Sequence, residues 1–172
     1  MIHIEYALRD LNQPLVLVDR DGTLNSDIKG YTSEIADLEL TKFALKLSQL
    51  GNIHKFQMAV VSNQSGIGRG FHSKEDFFSF TEYLIPSIQG NFSTVQMVVA
   101  CPHIPEDRCD CRKPSPAMLD FVSAGSDLSK VCFVGDSDID KQTAISSNIE
   151  FFDVNYEAEL GLGMWLEEHC DS

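Results

Sequence analysis

A three-layer, Rossmann-like α/β fold, with a parallel sheet between helices on both faces, is the architecture this sequence predicts. Three observations predict it. Short apolar runs alternate along the chain with stretches of helical spacing, which is the pattern of strand–helix–strand units. The apolar runs end on polar residues (Asp19, Ser62, Cys101, Asp136), and parallel sheets bind ligands at the carboxyl ends of their strands. The chain has 172 residues, 43% of them hydrophobic, enough for one domain with its own core.

The elements follow in order. The run at 14–19 (PLVLVD) reads as a buried strand. Residues 34–50 have helical spacing through Leu38, Phe43, Ala44, Leu47 and Leu50, and Gly51 suits the end of a helix. A second strand is expected at 57–62. Ser73 with Asp76 makes a capping box for a helix to about Tyr83. A third strand at 94–100 precedes a helix at 115–124 with Pro116 in its first turn. A fourth strand at 130–135 is followed by a helix at 139–147 and a fifth strand at 150–154. A last helix at 156–169 is weakened by Gly161 and Gly163.

Composition excludes several classes. The formal net charge is −13, which argues against general binding to nucleic acid or an anionic membrane. A phosphorylated small molecule stays open, since a metal and a few cations can reverse the field within one cleft. No run approaches a membrane span, and the N-terminal MIHIEYALRDLNQP lacks the pattern of a signal peptide. A cytoplasmic monomer is therefore expected. No G-x-G-x-x-G follows the first strand, so dinucleotide binding is unsupported. His3, His54, His72 and His169 read as surface residues, Cys132 as core, Cys170 as a thiol near the tail, and Phe77, Phe78 and Phe80 as helix packing.

Four stretches carry chemistry. In Asp19-Arg20-Asp21-Gly22-Thr23 the two carboxylates are two residues apart, so an extended backbone sends them the same way. Mg²⁺ would relieve their repulsion, one carboxylate could attack phosphorus, and the other could carry a proton. Ser62 and Asn63 open a loop ending at Gly66 whose hydroxyl and N–H groups can hold phosphate oxygens. Lys113, after Arg112 and before a helix start, can neutralise phosphate. Asp136 ends the fourth strand as a candidate metal ligand, with Asp140 one turn later to orient water or Lys113. Asp138 reads as exposed or as a cap, and an EF-hand is excluded by its missing ligands. Each stretch alone also reads as an ordinary polar loop. Their order along successive strands is the specific signal.

That order resembles the haloacid dehalogenase (HAD) superfamily of phosphatases, over residues 14–155. The resemblance implies that Asp19 is the nucleophile and a Mg²⁺ ligand. It makes Asp21 the general acid/base, with its backbone carbonyl also on Mg²⁺. Ser62 and Lys113 would bind the phosphoryl group, Asp136 would complete the metal ligands, and Asp140 would support from behind. Phosphoryl transfer asks mainly for positioning and charge neutralisation, which such a set supplies. The alternative is a degenerate domain that binds phosphosugar or a partner without catalysis.

Longer matches, 19–25, 62–70 and 101–114, resemble the branch holding the D-glycero-D-manno-heptose-1,7-bisphosphate and histidinol-phosphate phosphatases, which lack a large cap domain. Asn25 and the run Gln64-Ser65-Gly66-Ile67-Gly68-Arg69-Gly70 look like the heptose enzymes. Only five residues separate His103 from Cys109, as in the histidinol enzymes. The resemblance implies the heptose bisphosphate as the expected substrate, with histidinol phosphate as the alternative. Arg69 and Arg112 could bind a distal phosphate through bidentate guanidinium contacts.

The stretch CPHIPEDRCDC at 101–111 completes the reading. Cys101, His103, Cys109 and Cys111 form a Cys₃His set that closes a tetrahedral Zn²⁺ shell and leaves no position open for hydrolysis. The alternatives are a metal-free loop of reduced cysteines or, less fitting in the cytoplasm, a disulfide. The expectation is one HAD-like domain over 1–172, with a structural zinc loop at 101–111 that delivers Lys113.

Overall fold

The computed structural model describes residues 1–27, 30–90 and 93–170. Its strands are β1 (Ile2–Glu5), β2 (Leu15–Val18), β3 (Phe56–Asn63), β4 (Ser93–Cys101), β5 (Val131–Gly135) and β6 (Glu150–Asp153). They form one sheet in the order β1-β4-β3-β2-β5-β6. The helices are α1 (Lys42–Leu50), α2 (Ser65–Gly68), α3 (Lys74–Ile88), α4 (Ala117–Ser123), α5 (Asp138–Ser146) and α6 (Ala158–His169). No described helix is long and apolar enough to cross a membrane.

Strand β2 lies at the centre, paired in parallel with β3 on one side and β5 on the other. All four of its residues are buried, because helices cover both faces of the sheet. Val16 and Val18 point into a cluster with Phe43, Leu47, Phe77, Phe80, Leu162 and Trp165 from α1, α3 and α6. Leu15 and Leu17 point the other way, to Met118, Leu119, Val122 and Ala144 from α4 and α5. The period-two alternation of one strand thus divides the core into two layers.

The chain leaves β2 toward β3 and β4, then returns across it to β5 and β6. The strand order reverses beside β2, and such reversals open a crevice at the strand ends. Register sets what faces it. Val18 pairs with Val60 and Val134, so Asp19, Ser62 and Asp136 all follow within two residues of one level. The Asp19 N–H donates to the Val134 carbonyl at 2.9 Å.

Three expectations are corrected. The sheet is not wholly parallel, because β1 runs antiparallel on the β4 edge. Its Ile2 and Ile4 alternate with exposed His3 and Glu5, the pattern of a one-sided edge strand. The helix at 34–50 begins only at Lys42. Upstream, Ile35–Asp37 is a short 3₁₀ turn. Leu40 then bridges to Asn25, and Ser26 N–H donates to the Glu39 carbonyl. This pairing holds the chain extended, and Thr41 caps α1 by accepting from Ala44 N–H. Helix α3 runs beyond Tyr83 to Ile88 despite Pro86. Pro86 and Glu82, whose carbonyl loses its helical donor, both lie on the exposed face of α3, so that carbonyl is not sealed in the core.

Other expectations hold. The Ser73–Asp76 capping box is formed, and Phe77, Phe80 and Cys132 are core residues. Gly161 favours the last helix at one point: a Cβ there would sit 3.0 Å from the Phe152 ring, so its absence lets α6 pack on β6.

Candidate active site

The strand ends enclose a cavity of about 210 Å³. It is lined by Asp19 and Asp21 after β2, Ser62 and Asn63 at the end of β3, Arg112 and Lys113, and Asp136 and Asp140 around the start of α5. Residues spread over more than a hundred positions of sequence therefore share one small space. Arg69 does not line it. That residue is exposed at the C-terminal end of α2.

Lys113 is the hub. Its side chain is 3% exposed, and its ammonium donates to Asp19 Oδ1 at 2.6 Å, Asp140 Oδ1 at 2.6 Å and the Val61 carbonyl at 3.1 Å. Three donors meet three acceptors, so a buried cation is fully satisfied. The Phe133 ring lies 5.3 Å away and adds its π face. Burial opposes the charged ammonium, but Asp19 and Asp140 outweigh it and hold Lys113 above the ordinary lysine value. Asn63 fixes the backbone of this residue: its side-chain carbonyl accepts from Lys113 N–H at 3.0 Å, and its amide donates to the Lys113 carbonyl at 3.1 Å.

The carboxylates crowd together. Burial, then Asp140 and Asp21, push Asp19 up to about 7 against the pull of Lys113. Burial and then Asp140 also raise Asp136. Ligand oxygens of Asp19, Asp136 and Asp140 lie within 4.8 Å of one another. A divalent cation would relieve this repulsion, and the donor set is the hard-oxygen type that such ions take. Gly22 makes the close approach possible. Its φ is +83°, and a Cβ there would fall 2.2 Å from Asp136 Oδ2.

Asp140 is oriented by Ser137, the cap of α5, whose hydroxyl donates to Asp140 Oδ2 at 2.6 Å. Asp138 is exposed, as expected. Asp21 is held by three side chains. Arg20 donates to Oδ1 from Nε at 3.0 Å and from one terminal nitrogen at 2.8 Å, Asn25 donates to the same oxygen at 3.1 Å, and Gln64 donates to Oδ2 at 2.6 Å. Arg20 is itself 1% exposed, with its guanidinium over the rings of Phe80 at 4.8 Å and Phe77 at 5.6 Å. Sequence reasoning missed Arg20 and Gln64. Alternation along the chain turns Arg20 away from both aspartates, and only the folded structure shows its head returning to Asp21.

The 101–111 stretch forms a second cluster beside this one. Cys111 Sγ lies 3.4 Å from Cys101 Sγ, 3.7 Å from Cys109 Sγ and 3.4 Å from His103 Nδ1. Cys101 Sγ lies 3.5 Å from both Cys109 Sγ and His103 Nδ1. These separations exceed the ~2.05 Å of a disulfide. All four residues could hold one metal ion. Burial pushes the Cys101 thiol up to about 12, so a thiolate there calls for a cation. The cluster is stitched to the loop after β3: Gln64 N–H donates to the Cys101 carbonyl at 2.7 Å, and Gly68 N–H to the Pro102 carbonyl at 2.9 Å. Arg112 donates to the His103 carbonyl at 3.2 Å.

One sequence expectation fails near the site. His72 is not a surface residue; it is 8% exposed, and neither ring nitrogen has a hydrogen-bond partner among the described residues.

Comparison with known proteins places the chain. No family model matches it. It is 35% identical over 140 residues to the D-glycero-β-D-manno-heptose-1,7-bisphosphate 7-phosphatase of Pseudomonas aeruginosa, spanning 78% of this chain and 76% of that one. A HAD-like phosphatase of Mesorhizobium loti shares the fold, with a TM-score of 0.80 over 99% of this chain and 94% of the other, at 24% identity. The D,D-heptose 1,7-bisphosphate phosphatase of B. bronchiseptica, solved with magnesium and phosphate, superimposes with a TM-score of 0.71 at 25% identity, covering 81% of this chain and 79% of the other. The strand-end carboxylates, the buried lysine and these relatives agree: the chain belongs to the D-glycero-β-D-manno-heptose-1,7-bisphosphate 7-phosphatase family of HAD-like phosphatases.

Proposed function

We propose that this protein is a Mg²⁺-dependent phosphomonoester hydrolase that removes the 7-phosphate of D-glycero-D-manno-heptose 1,7-bisphosphate. The observation that carries the reading is Lys113, buried between Asp19 and Asp140 at the floor of a cavity that also holds Ser62 and Asp136. Asp19 attacks phosphorus; its new O–P bond forms as the ester O–P bond breaks, and the departing oxygen takes a proton from Asp21. Water then attacks the aspartyl phosphate. Its proton passes to Asp21, and phosphate leaves with the Asp19 carboxylate restored. Ser62 holds a phosphoryl oxygen, and Lys113 does so by turning the N–H it gives Asp19 toward the phosphoryl group as that carboxylate becomes the nucleophile. Asp140 keeps the ammonium aimed there, and Asn63 fixes the backbone that carries it.

Asp19, Asp136 and the Asp21 carbonyl would hold Mg²⁺, which when bound neutralises phosphoryl charge. The crowding of raised carboxyls supports this assignment, as does the magnesium in the B. bronchiseptica relative. Zinc fits the Cys₃His cluster. A tetrahedron with Zn–S near 2.3 Å and Zn–N near 2.0 Å has edges of roughly 3.5–3.8 Å, close to the separations at this cluster. All four positions are then filled by protein, so this ion is structural. We read residues 1–172 as one phosphatase domain acting on a small phosphorylated molecule, with its thiols kept reduced in a cytoplasmic setting.

Arg112 lines the cavity and is placed for a distal phosphate, whereas Arg69 would need to reach in from the outside of α2. Histidinol phosphate is the second reading, favoured by the short 103–109 connection, which folds as the single 3₁₀ turn Pro105–Asp107. A side-by-side turnover assay decides. Higher kcat/KM on the heptose bisphosphate supports the first reading, and a preference for histidinol phosphate overturns it. Full turnover by Asp19→Asn would overturn the mechanism altogether.

A further inference from the structure

We infer that Gln64 is a positioning residue that sets the proton-transfer geometry of Asp21 and the hydroxyl direction of Ser62 with the two hydrogens of one amide group. The inference rests on the reading of Asp21 as the general acid/base. Gln64 Nε2 donates to Asp21 Oδ2 at 2.6 Å and to Ser62 Oγ at 2.7 Å. A side-chain amide has two N–H donors, and both are used. Gln64 is 3% exposed, so its rotamer has little freedom, and its backbone N–H is tied to the Cys101 carbonyl at 2.7 Å.

The consequences for the two partners differ. A hydroxyl has one hydrogen to give. Because Ser62 Oγ accepts from Gln64, that hydrogen is left to point into the cavity, where Ser62 lies. At Asp21 the load on the two oxygens is unequal. Oδ1 accepts from Arg20 twice and from Asn25, which fills its capacity. Oδ2 accepts only from Gln64 among the described side chains, so it is the oxygen with a lone pair to spare for the travelling proton. Gln64 fixes where that lone pair points. Proton transfer is sensitive to such placement, and a positioned acid contributes roughly 10²–10⁴-fold.

Leaving-group dependence tests this. A sugar or alkyl phosphate needs its departing oxygen protonated, whereas p-nitrophenolate leaves without a proton. In Gln64→Met the donor is lost at nearly constant volume. The expected result is a fall in kcat/KM, which reports only the step that expels the leaving group, of roughly 10²-fold on an alkyl phosphate such as glycerol phosphate, but less than about 5-fold on p-nitrophenyl phosphate. Hydrolysis of the aspartyl phosphate, where Asp21 also serves, is common to both esters and enters kcat alone. The dissociation constant of inorganic phosphate should change less than about 3-fold. Thermal melting checks that the variant is folded. Should it not fold, Gln64→Asn keeps the amide but is too short to span both partners, and the same selective loss is expected.

Equal losses of kcat/KM on both esters would overturn the inference, since a general disturbance of the phosphate site ignores the leaving group. So would no loss on either. Asp21→Asn serves as the reference. If it loses kcat/KM selectively on the alkyl ester and Gln64→Met does not, the inference fails while the reading of Asp21 stands. If Asp21→Asn shows no selectivity, that reading fails and takes the inference with it.

Discussion

Asn63 and Lys113 are joined by two reciprocal hydrogen bonds, side chain to backbone in both directions, at 3.0 and 3.1 Å. This closes a bridge between the end of β3 and the exit of the cysteine loop, fifty residues apart in sequence. Asn63 holds only the backbone of Lys113; the ammonium is engaged by Asp19, Asp140 and the Val61 carbonyl. In Asn63→Ala both bonds are lost at a half-buried site, so stability should fall by about 1 kcal/mol. Activity should fall further than stability suggests, by roughly 10-fold in kcat, because a misplacement near 1 Å is costly in phosphoryl transfer. Urea unfolding and steady-state kinetics measure the two effects separately.

Lys113 itself presents a harsher case. Its removal leaves the Asp19 and Asp140 carboxylates, 8% and 2% exposed, facing each other without their cation. Breaking one partner of a buried ion pair costs about 3–5 kcal/mol, and Lys113→Met should destabilise by that order in urea. Activity should be lost by more than about 10²-fold. The double variant Lys113→Met/Asp140→Asn should regain part of the stability but none of the activity. That separates the cost of an uncompensated charge from the loss of the proposed phosphate contact.

Much of this arrangement was legible in the sequence, and the reasons for the rest are physical. Strands β2 to β5 announce themselves because parallel strands covered on both faces are continuous apolar runs. Strand β1 does not, since Ile2 and Ile4 are two apolar residues on an otherwise polar edge. The expected helix at 34–50 followed a spacing through Leu38 that is real, but the pairing of Leu40 with Asn25 is a tertiary contact that spacing cannot register. The site divides the same way. Asp19 and Asp136 stand out by their place at strand ends, Lys113 by its place before a helix start, and the cysteines by residue type and clustering. Gln64, Arg20 and His72 matter through what lies opposite them in space.

His72 yields a prediction about pH. Burial first, then the Arg20 charge, lower its pKa below the ordinary histidine value, against smaller opposing effects of Asp76 and Asp21. The neutral ring is therefore the folded form. The unfolded chain takes up a proton near pH 6.5 that the folded chain resists. Stability from the neutral ring is thus complete above about pH 6.5 and declines as pH falls below it. The melting temperature of the wild type should drop more between pH 7.5 and 5.5 than that of His72→Phe. Parallel pH dependences in the two proteins would show that the ring titrates freely in the fold.

The cysteine cluster should govern activity without taking part in the reaction. Two connections besides the Arg112–His103 hydrogen bond carry its influence into the cavity. One is the backbone path from Cys111 through Arg112 to Lys113, and the other is the Cys101 carbonyl that anchors Gln64 N–H. Protein prepared without chelator should contain about one tightly bound zinc per chain. Chelation should lower kcat, and Mg²⁺ added alone should not restore it, whereas zinc followed by Mg²⁺ should. Hydrogen exchange separates this from general unfolding. The Gln64, Gly68 and Lys113 amides, bonded to Cys101, Pro102 and Asn63, should lose protection on zinc removal. Amides in the β2–β5 ladder, which contact neither cysteine nor histidine of the cluster in register, should keep theirs. Uniform loss across both sets would mean that the metal supports the whole fold rather than the walls of one cavity.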